Sequence, residues 1–163
     1  MTRATATAAR IPLLLRVPPP LLFVITFVAG AGLQHLAPLT VDASNIVLAI
    51  RVIGVGLTAT GVLIALSCLA LFLAARTTVI PFGTSTSLIS RGPYRFTRNP
   101  MYLSLVLVYL GVAGILVELW PLFLLPLPVA ILHRMVIPFE EARLREAFGA
   151  AFDHYCTRVR RWI

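Results

Sequence analysis

The sequence contains no lysine and few charged residues of any kind. Arginine supplies all 14 basic residues, only 6 residues are acidic, and charged residues make up 12% of the 163-residue chain. A water-soluble domain normally carries about 25% charged residues. With 59% hydrophobic residues and a mean hydropathy of +0.93, the composition excludes an ordinary soluble domain and favours a membrane protein.

Cysteine is equally scarce, and the motifs of several enzyme classes are missing. Cys68 and Cys156 form no CxxC pair and have no histidine at a metal-ligand spacing, so we predict neither a disulfide framework nor a metal site. The sequence has no HExxH, GxGxxG or P-loop motif and no Ser–His–Asp order. Because the arginines flank apolar runs instead of forming a basic stripe, nucleic acid is not an expected partner.

Four long apolar stretches follow one another along the chain. About 20 apolar residues suffice for a helix to cross a bilayer, so the pattern predicts an all-α, polytopic membrane protein with about four transmembrane helices in one domain, 1–163. The predicted spans are residues about 17–36, 46–75, 101–117 and 121–138. The short turn before the fourth span predicts an antiparallel hairpin, and Pro126 and Pro128 predict a kink within it. Three glycines predict close helix packing on the second span: Gly54, Gly56 and Gly61.

The arginines also predict the orientation. Thirteen of the 14 lie before the first span, between the second and third, or at the end of the fourth and after it, and only Arg51 lies on the other side. Cytoplasmic segments of membrane proteins are enriched in basic residues, so we expect both termini and the 76–100 loop in the cytoplasm. Arginine as the only basic residue is typical of a GC-rich genome, and we therefore expect the bacterial inner membrane.

The chain after the fourth span is amphipathic. Apolar residues recur there at spacings of four, four, three and four: Leu144, Phe148, Phe152, Tyr155 and Val159. This pattern predicts a cytoplasmic helix over residues about 139–159. Such a helix either anchors the chain at the membrane surface or folds back over the 76–100 loop.

The loop before the third span ends in a dense group of prolines, arginines and aromatic residues at 90–102. Asn99 is a predicted N-cap and Pro100 a predicted first residue of the third helix. The free N–H groups of that helix start, beside Arg95 and Arg98, favour an anionic or carboxylate ligand. A capped helix flanked by topology-determining arginines explains the same residues without a ligand.

Two acidic residues, Glu140 and Glu141, follow the fourth span shortly after His133 and Arg134. Acidic groups near a membrane cost desolvation unless they are paired. One of the two is therefore expected to point toward the arginines of the loop. The alternative is that both are solvated at the start of the tail helix, where they suit its dipole.

The loop and the tail together resemble a known family. The segment from Gly92 to Tyr102, the two helices after it, the Glu140–Glu141 pair and the aromatic tail up to Trp162 resemble the isoprenylcysteine carboxyl methyltransferase-like membrane proteins, which belong with the phospholipid methyltransferases. The resemblance covers residues from about 77 to 163. It implies an integral-membrane enzyme that uses S-adenosylmethionine as methyl donor.

The resemblance further implies a cofactor pocket capped by the loop and the tail helix. The residues expected by position to contact S-adenosylmethionine are Thr86, Ser87, Leu88, Ile89, Tyr94, Asn99, Pro100, Tyr102 and Glu140. The charges of the loop and of the acidic pair add Arg95, Arg98 and Glu141 to this set. His133, with Arg134 beside it, is the candidate catalytic group that takes a proton if the acceptor is a thiol or an amine, whereas a carboxylate acceptor needs no base.

The acceptor expected from this resemblance is lipophilic or amphiphilic: a prenyl-cysteine-like carboxylate, a thiol or a lipid amine that enters from the bilayer. Two other interpretations stay open, a small four-helix transporter or assembly protein, and a family member that binds the cofactor or a lipid without catalysis. Transporters usually carry ionisable residues at mid-span, and the predicted span centres have none. The sequence gives no indication of the oligomeric state.

Overall fold

The computed structural model describes residues 17–41, 44–74 and 88–163. All regular secondary structure in these ranges is helical, which confirms the predicted all-α fold. The α-helices are α1 (Pro19–Leu36), α2 (Ser44–Ala74), α3 (Pro100–Leu116), α4 (Leu119–Leu124), α5 (Pro126–Ile131), α6 (Ile137–Phe148) and α7 (Ala150–Arg158). A 3-10 turn at Gly92–Arg95 precedes α3, and a π-helical turn at Leu132–Val136 joins α5 to α6.

Three helical segments of the described chain are long and apolar enough to cross a membrane: Pro19–Leu36, Ser44–Ala74 and Leu119–Phe148. The third predicted span corresponds to α3, which is apolar but has only 17 residues. That length lies at the lower limit of roughly 17–25 residues for a membrane-spanning helix. All four apolar stretches are therefore helical. Three of them belong to helical segments of 18 residues or more, and α3 is one residue shorter.

The last of these segments is irregular, and its prolines explain why. A proline has no N–H group and its ring clashes with the preceding turn of a helix. The regular α-helix is interrupted at Leu125, directly before Pro126, at the place where a kink was predicted, although Leu125 itself keeps helical dihedral angles. Beyond the π-helical turn, Pro138 lies in the first turn of α6, where a missing N–H costs little. The helix therefore runs on through Pro138 and carries Glu140 and Glu141 with it.

The helices α2 and α3 approach each other backbone to backbone. A Cβ atom on Gly111 would lie 2.6 Å from the carbonyl oxygen of Gly54, and one on Gly61 would lie 2.9 Å from that of Ser104. Glycine is therefore required at these crossings, as predicted for Gly54 and Gly61. Gly56 is different, because a Cβ atom there would meet no described atom within 4 Å.

Tyr109 connects three helices at the centre of the molecule. Its ring meets those of Phe23 and Phe27 edge-on, at centroid distances of 5.9 and 5.1 Å. Its hydroxyl donates to the carbonyl oxygen of Pro121 over 2.9 Å, and this bond ties α3 to α4. The same core continues to Tyr102 and to the π-helical turn. It thereby holds the first turn of α3 against the start of α6.

The tail is two helices and not the single helix predicted over 139–159. The break is at Gly149, which has φ +51 and ψ −128, a conformation that residues with a Cβ atom rarely adopt. After this turn α7 folds back, and Phe152, Tyr155 and Val159 are buried in a cluster that includes Leu88 of the loop. Of the two placements considered for the tail, the structure shows the one over the loop.

Candidate functional site

The 3-10 turn holds Tyr94 between α2 and α7. Gly92 opens this turn with φ +62, and the ring of Tyr94 meets Phe72 of α2 edge-on at 6.0 Å. On the other side the hydroxyl of Tyr155 donates to the carbonyl oxygen of Tyr94 over 2.7 Å. The aromatic ring of Tyr94 is thus fixed in the half-buried space beneath the tail.

Both of these tyrosines stay neutral at physiological pH. Burial raises the pKa of Tyr155 to about 12, with Arg98 acting in the opposite direction. Burial also raises the pKa of Tyr94 well above its ordinary value. Desolvation penalises the charged phenolate in both cases. Their hydroxyl groups are therefore hydrogen-bond donors in this site.

A third tyrosine binds one of the two predicted glutamates directly. Tyr102, in the first turn of α3, is 8% exposed, and its hydroxyl donates to Oε1 of Glu140 over 2.5 Å. Glu140 lies in the first turn of α6 and is half-buried. Tyr94 is close enough to interact electrostatically with this carboxylate. The fold therefore gathers Tyr94, Tyr102 and Glu140 from three separate elements into one polar group.

Glu141 has a different environment from its neighbour, because two arginines saturate its carboxylate. Arg161 binds it through two contacts, Nε to Oε1 at 3.0 Å and Nη2 to Oε2 at 2.6 Å. Arg98 adds a third contact, Nη1 to Oε1 at 3.4 Å, and the Arg98 and Glu141 side chains are only 16% and 13% exposed. The expected pairing between the acidic pair and the loop is thus made by Glu141.

Arg98 has one donor left over. Its Nη1 also contacts Sγ of Cys156 at 2.6 Å. Its Nε is buried, and within the described part of the chain it has no hydrogen-bond acceptor. Since buried donors are nearly always satisfied, this N–H group lacks an acceptor that the described residues do not supply.

The segment after α7, residues 160–162, forms a strap across the loop. The backbone N–H of Arg98 donates to the carbonyl oxygen of Arg160 over 2.9 Å. The next carbonyl, that of Arg161, accepts from Oγ1 of Thr97 at 3.1 Å and from Nδ2 of Asn99 at 2.8 Å. Together with the Arg161–Glu141 ion pair, these bonds make the strap the link between the loop and α6.

Asn99 therefore does not cap α3 as predicted. It occupies the N-cap position, but its side chain makes no capping hydrogen bond. Its amide donates to the strap instead, and its backbone carbonyl accepts from Tyr102 and Leu103. The Asn99 side-chain amide binds the carbonyl oxygen of Arg161, 62 residues away, instead of the start of α3. A local sequence pattern cannot predict such a distant partner.

The far end of the strap reaches His133. The indole N–H of Trp162 donates to Nδ1 of His133 over 3.1 Å, and the two rings stack with a centroid distance of 6.5 Å and an angle of 25°. A neutral imidazole that accepts at Nδ1 carries its proton on Nε2. His133 and Arg134 are both exposed, whereas Leu132 and Val136 on the same turn are buried. This pair lies about two helical turns before Glu140.

The other residues that were predicted to contact the cofactor lie partly in the site and partly outside it. Thr86 and Ser87 lie outside the described residues. Leu88 packs against the buried face of α7, and Ile89 follows it in a segment without regular secondary structure. Arg95 is exposed and takes no part in the ion pairs that the described residues form. The structure thus brings Tyr94, Arg98, Asn99, Tyr102, Glu140 and Glu141 together and leaves Arg95 at the edge.

Pro100 contributes to a cavity of about 260 Å³ between the loop, α2 and α3. The cavity lining is almost entirely apolar: Ile64, Pro93, Phe96, Thr97, Pro100 and Leu103. Such a lining suits a hydrocarbon chain better than a polar ligand.

Four residues that contact the loop or the acidic pair were not predicted to belong to the site, although Tyr155 was predicted on the apolar face of the tail: Thr97, Tyr155, Cys156 and Arg161. Arg161 could have been predicted as a site residue, because it lies between Arg160 and Trp162 in the tail that resembles the family. No local pattern identifies the other three, because their partners lie about 60 residues away.

Comparison with known proteins gives one match. A family model described as phospholipid methyltransferase matches residues 49–151, from α2 into the first turn of α7. The matched region contains Tyr94, Tyr102, Glu140 and Glu141, and it ends before the strap. No curated protein and no solved structure matches the chain significantly.

Proposed function

Because the chain belongs to the phospholipid methyltransferase family, we propose that it is an integral-membrane enzyme that transfers a methyl group from S-adenosylmethionine to a lipophilic or amphiphilic acceptor. Of the acceptors considered, a phospholipid amine agrees best with the family. The observation that carries this proposal is the polar group around the Tyr102–Glu140 hydrogen bond. It lies at the cytoplasmic end expected for α3, under the loop and the tail.

The residues of this site fit the donor molecule. S-adenosylmethionine has an amino acid part with a carboxylate and an amino group, a ribose with two hydroxyls, and an adenine ring. Arg98 offers the buried Nε without a described acceptor to the carboxylate. Glu140 offers a carboxylate oxygen to the amino group or the ribose hydroxyls, and Tyr94 offers an aromatic face and edge. The loop backbone at Leu88 and Ile89 completes the set.

Glu141 is assigned a supporting role in this proposal. Both of its oxygens already bind arginine, so a ligand would have to displace an ion pair to reach them. Removing one partner of such a pair leaves a poorly compensated charge. We therefore propose that Glu141 holds the strap in place while Glu140 contacts the cofactor.

The chemistry asks mainly for positioning. S-adenosylmethionine supplies a methyl group on a sulfonium, which is electrophilic without further activation. The protein must hold the acceptor in line with this methyl group, and correct alignment alone lowers a barrier by several kcal/mol. The loop, α7 and the strap cover the site and keep water away from it. The apolar cavity at Pro100 and Leu103 offers a place for the hydrocarbon chain of the acceptor.

The proposal is tested by calorimetric titration of the detergent-purified protein with S-adenosylhomocysteine. We expect binding at sub-millimolar ligand, and we expect Glu140→Gln and Tyr102→Phe each to weaken it by about tenfold, the usual worth of one charge-assisted hydrogen bond. Glu146→Gln, on the exposed face of α6, is the matched control and should bind as the wild type does.

Two outcomes contradict the proposal. If the wild-type protein shows no binding at sub-millimolar ligand, it does not use this cofactor. If both site variants bind with wild-type affinity, the pocket is assigned to the wrong residues. Transfer of radiolabelled methyl groups to a membrane lipid extract then distinguishes an active enzyme from a family member that binds without catalysis.

A further inference from the structure

The tail is held by a hydrophobic cluster of its own. The buried side chains of α7 are Phe152, Tyr155 and Val159, and they pack with Leu88 of the loop and with the last turns of α6. Among the described residues, no member of this cluster belongs to the core around Tyr109. With nine residues, α7 is also too short to be stable as an isolated helix. Its position therefore depends on these few contacts, and it can move without disturbing the core.

Gly149 joins this tail to α6 at a position where the chain can rotate. Its φ is +51, a value that residues with a Cβ atom rarely adopt. The residue is exposed, and no described atom lies within 4 Å of a Cβ atom built there. Hinges in proteins are a few residues at the ends of elements that absorb large changes in φ and ψ. A rotation at Gly149 would swing α7 and the strap together.

The hydrogen bonds that hold the tail against the loop lie at its other end, on the strap. The backbone N–H of Arg98 donates to the carbonyl oxygen of Arg160. The carbonyl oxygen of Arg161 accepts from the side chains of Thr97 and Asn99. Because water can replace the partners of such bonds, each of them contributes only modestly to keeping the tail in place.

Glu141 is the point at which the strap, the loop and α6 are joined by charge. Arg161 of the strap binds its carboxylate through two contacts, of 3.0 and 2.6 Å. Arg98 of the loop approaches the same carboxylate to 3.4 Å, and its Nη1 also contacts Sγ of Cys156 in α7 at 2.6 Å. The side chain of Glu141 is only 13% exposed. Removing this one charge would therefore weaken the attachment of the tail to both the loop and α6.

The tail lies over the residues proposed to bind the methyl donor. The hydroxyl of Tyr155 donates to the carbonyl oxygen of Tyr94 over 2.7 Å. Tyr94 in turn is close enough to Glu140 to interact electrostatically with it. A ligand bound between Tyr94 and Glu140 is therefore enclosed on the side of α7.

We propose that α7 and the strap form a lid that opens at Gly149 to admit the methyl donor and release its product, and that Glu141 is the latch of this lid. The inference rests on the proposed function and adds to it a conformational step that controls cofactor exchange. Lid opening and product release limit the turnover of many enzymes with covered sites. Because the latch consists of ion pairs, the salt concentration also sets the fraction of molecules with an open lid.

The strap carries its own reporter of lid position, Trp162, which packs against the core and stacks on His133. The chain has two tryptophans, so Trp120→Phe leaves Trp162 as the sole source of indole fluorescence. In this background we expect Glu141→Gln to shift the emission to longer wavelength, because the indole becomes more exposed to water. Raising the salt concentration from about 0.05 to about 0.5 M shortens the Debye length about threefold. It should produce the same shift in the parent and little change in Glu141→Gln.

The rates of ligand binding separate a lid from a direct ligand contact. Stopped-flow emission of Trp162 measures how fast S-adenosylhomocysteine binds and dissociates. Glu141→Gln should raise the association and the dissociation rate constants about tenfold each, the worth of one charge-assisted hydrogen bond, and should leave Kd nearly unchanged. Asp153→Asn is the matched control, since it breaks the exposed Arg145–Asp153 ion pair that joins α6 to α7 beside the hinge. It should show the rate constants of the parent.

Three outcomes overturn the inference. Parent rate constants in Glu141→Gln would show that this residue does not latch the tail. Equal increases in Asp153→Asn would show that the strap has no special part in closure. A rise in the dissociation rate constant alone would show that Glu141 contacts the ligand itself. Failure of the proposed function looks different: the emission of Trp162 then responds to Glu141→Gln and to salt, while S-adenosylhomocysteine does not bind.

Discussion

At the scale of single residues, two adjacent glutamates have separate tasks. Glu140 accepts a hydrogen bond from one neutral phenol, whereas the carboxylate of Glu141 is saturated by two guanidinium groups. A sequence pattern cannot separate them, because both stand at the start of the same charged helix. The difference arises from Arg161, which folds back over α6 from 20 residues further along the chain.

This difference predicts how stability responds to substitution. Glu141→Gln removes the charge that compensates Arg98 and Arg161, and we expect it to lower the free energy of unfolding by about 1–3 kcal/mol. The exposed Arg145–Asp153 pair, whose side chains are 52% and 56% exposed, is the control. Asp153→Asn should change the stability much less, because an exposed ion pair contributes little. Thermal unfolding in detergent measures both, and equal losses would contradict the assignment of Glu141 as the anchor of the strap.

At the scale of the elements, glycines determine where helices meet and where they end. Gly111 lets α3 touch α2, and Gly149 turns the chain from α6 into α7. Glycine is required at position 111 for steric reasons, because a Cβ atom there would collide with the backbone of α2. Glycine is favoured at position 149 by its backbone conformation alone, because no described atom lies within 4 Å of a Cβ atom there.

Gly111→Ala is expected to destabilise the α2–α3 pair. The added methyl would lie 2.6 Å from the carbonyl oxygen of Gly54, and such overpacking typically costs about 1–3 kcal/mol. Gly56→Ala on α2 is the matched control, because its methyl would meet no described atom. A lower midpoint of thermal unfolding for Gly111→Ala alone is the expected result. Equal midpoints would contradict the close approach.

Gly149→Ala should loosen the tail without changing the core. A φ of +51 with ψ −128 is strained for alanine by about 1–3 kcal/mol. We therefore expect faster hydrogen exchange in α7 and the strap, with exchange in α3 unchanged. Uniform exchange across both helices would show that the tail and the core unfold as one unit.

At the scale of the whole molecule, the sequence predicted the helices better than it predicted their contacts. The apolar stretches and the interruption of the helix before Pro126 follow from composition and backbone geometry, which act locally. The partners of Asn99 and His133 do not, because each is supplied by the strap after the chain has folded back. The break at Gly149 was missed because the apolar spacing continues across it.

The orientation in the membrane is still a prediction. The bias of arginine toward one side predicts that both termini and the loop lie in the cytoplasm. A reporter enzyme that is active only in the cytoplasm should therefore be active when fused to either end of the chain. Activity at one end only would mean an odd number of crossings, and the short α3 would be the first helix to reconsider.

The π-helical turn changes the direction in which the side chains after it point around the helix axis. One residue of an α-helix corresponds to a rotation of about 100°, and a turn that holds an extra residue offsets everything after it by that angle. We therefore expect the π-helical turn to set the direction in which Glu140 points, which in this structure is toward Tyr102. Deleting Met135 should turn the π-helical turn into a regular α-helix and rotate Glu140 away from Tyr102. We therefore expect this deletion to abolish the Tyr102–Glu140 hydrogen bond although the helix becomes more regular.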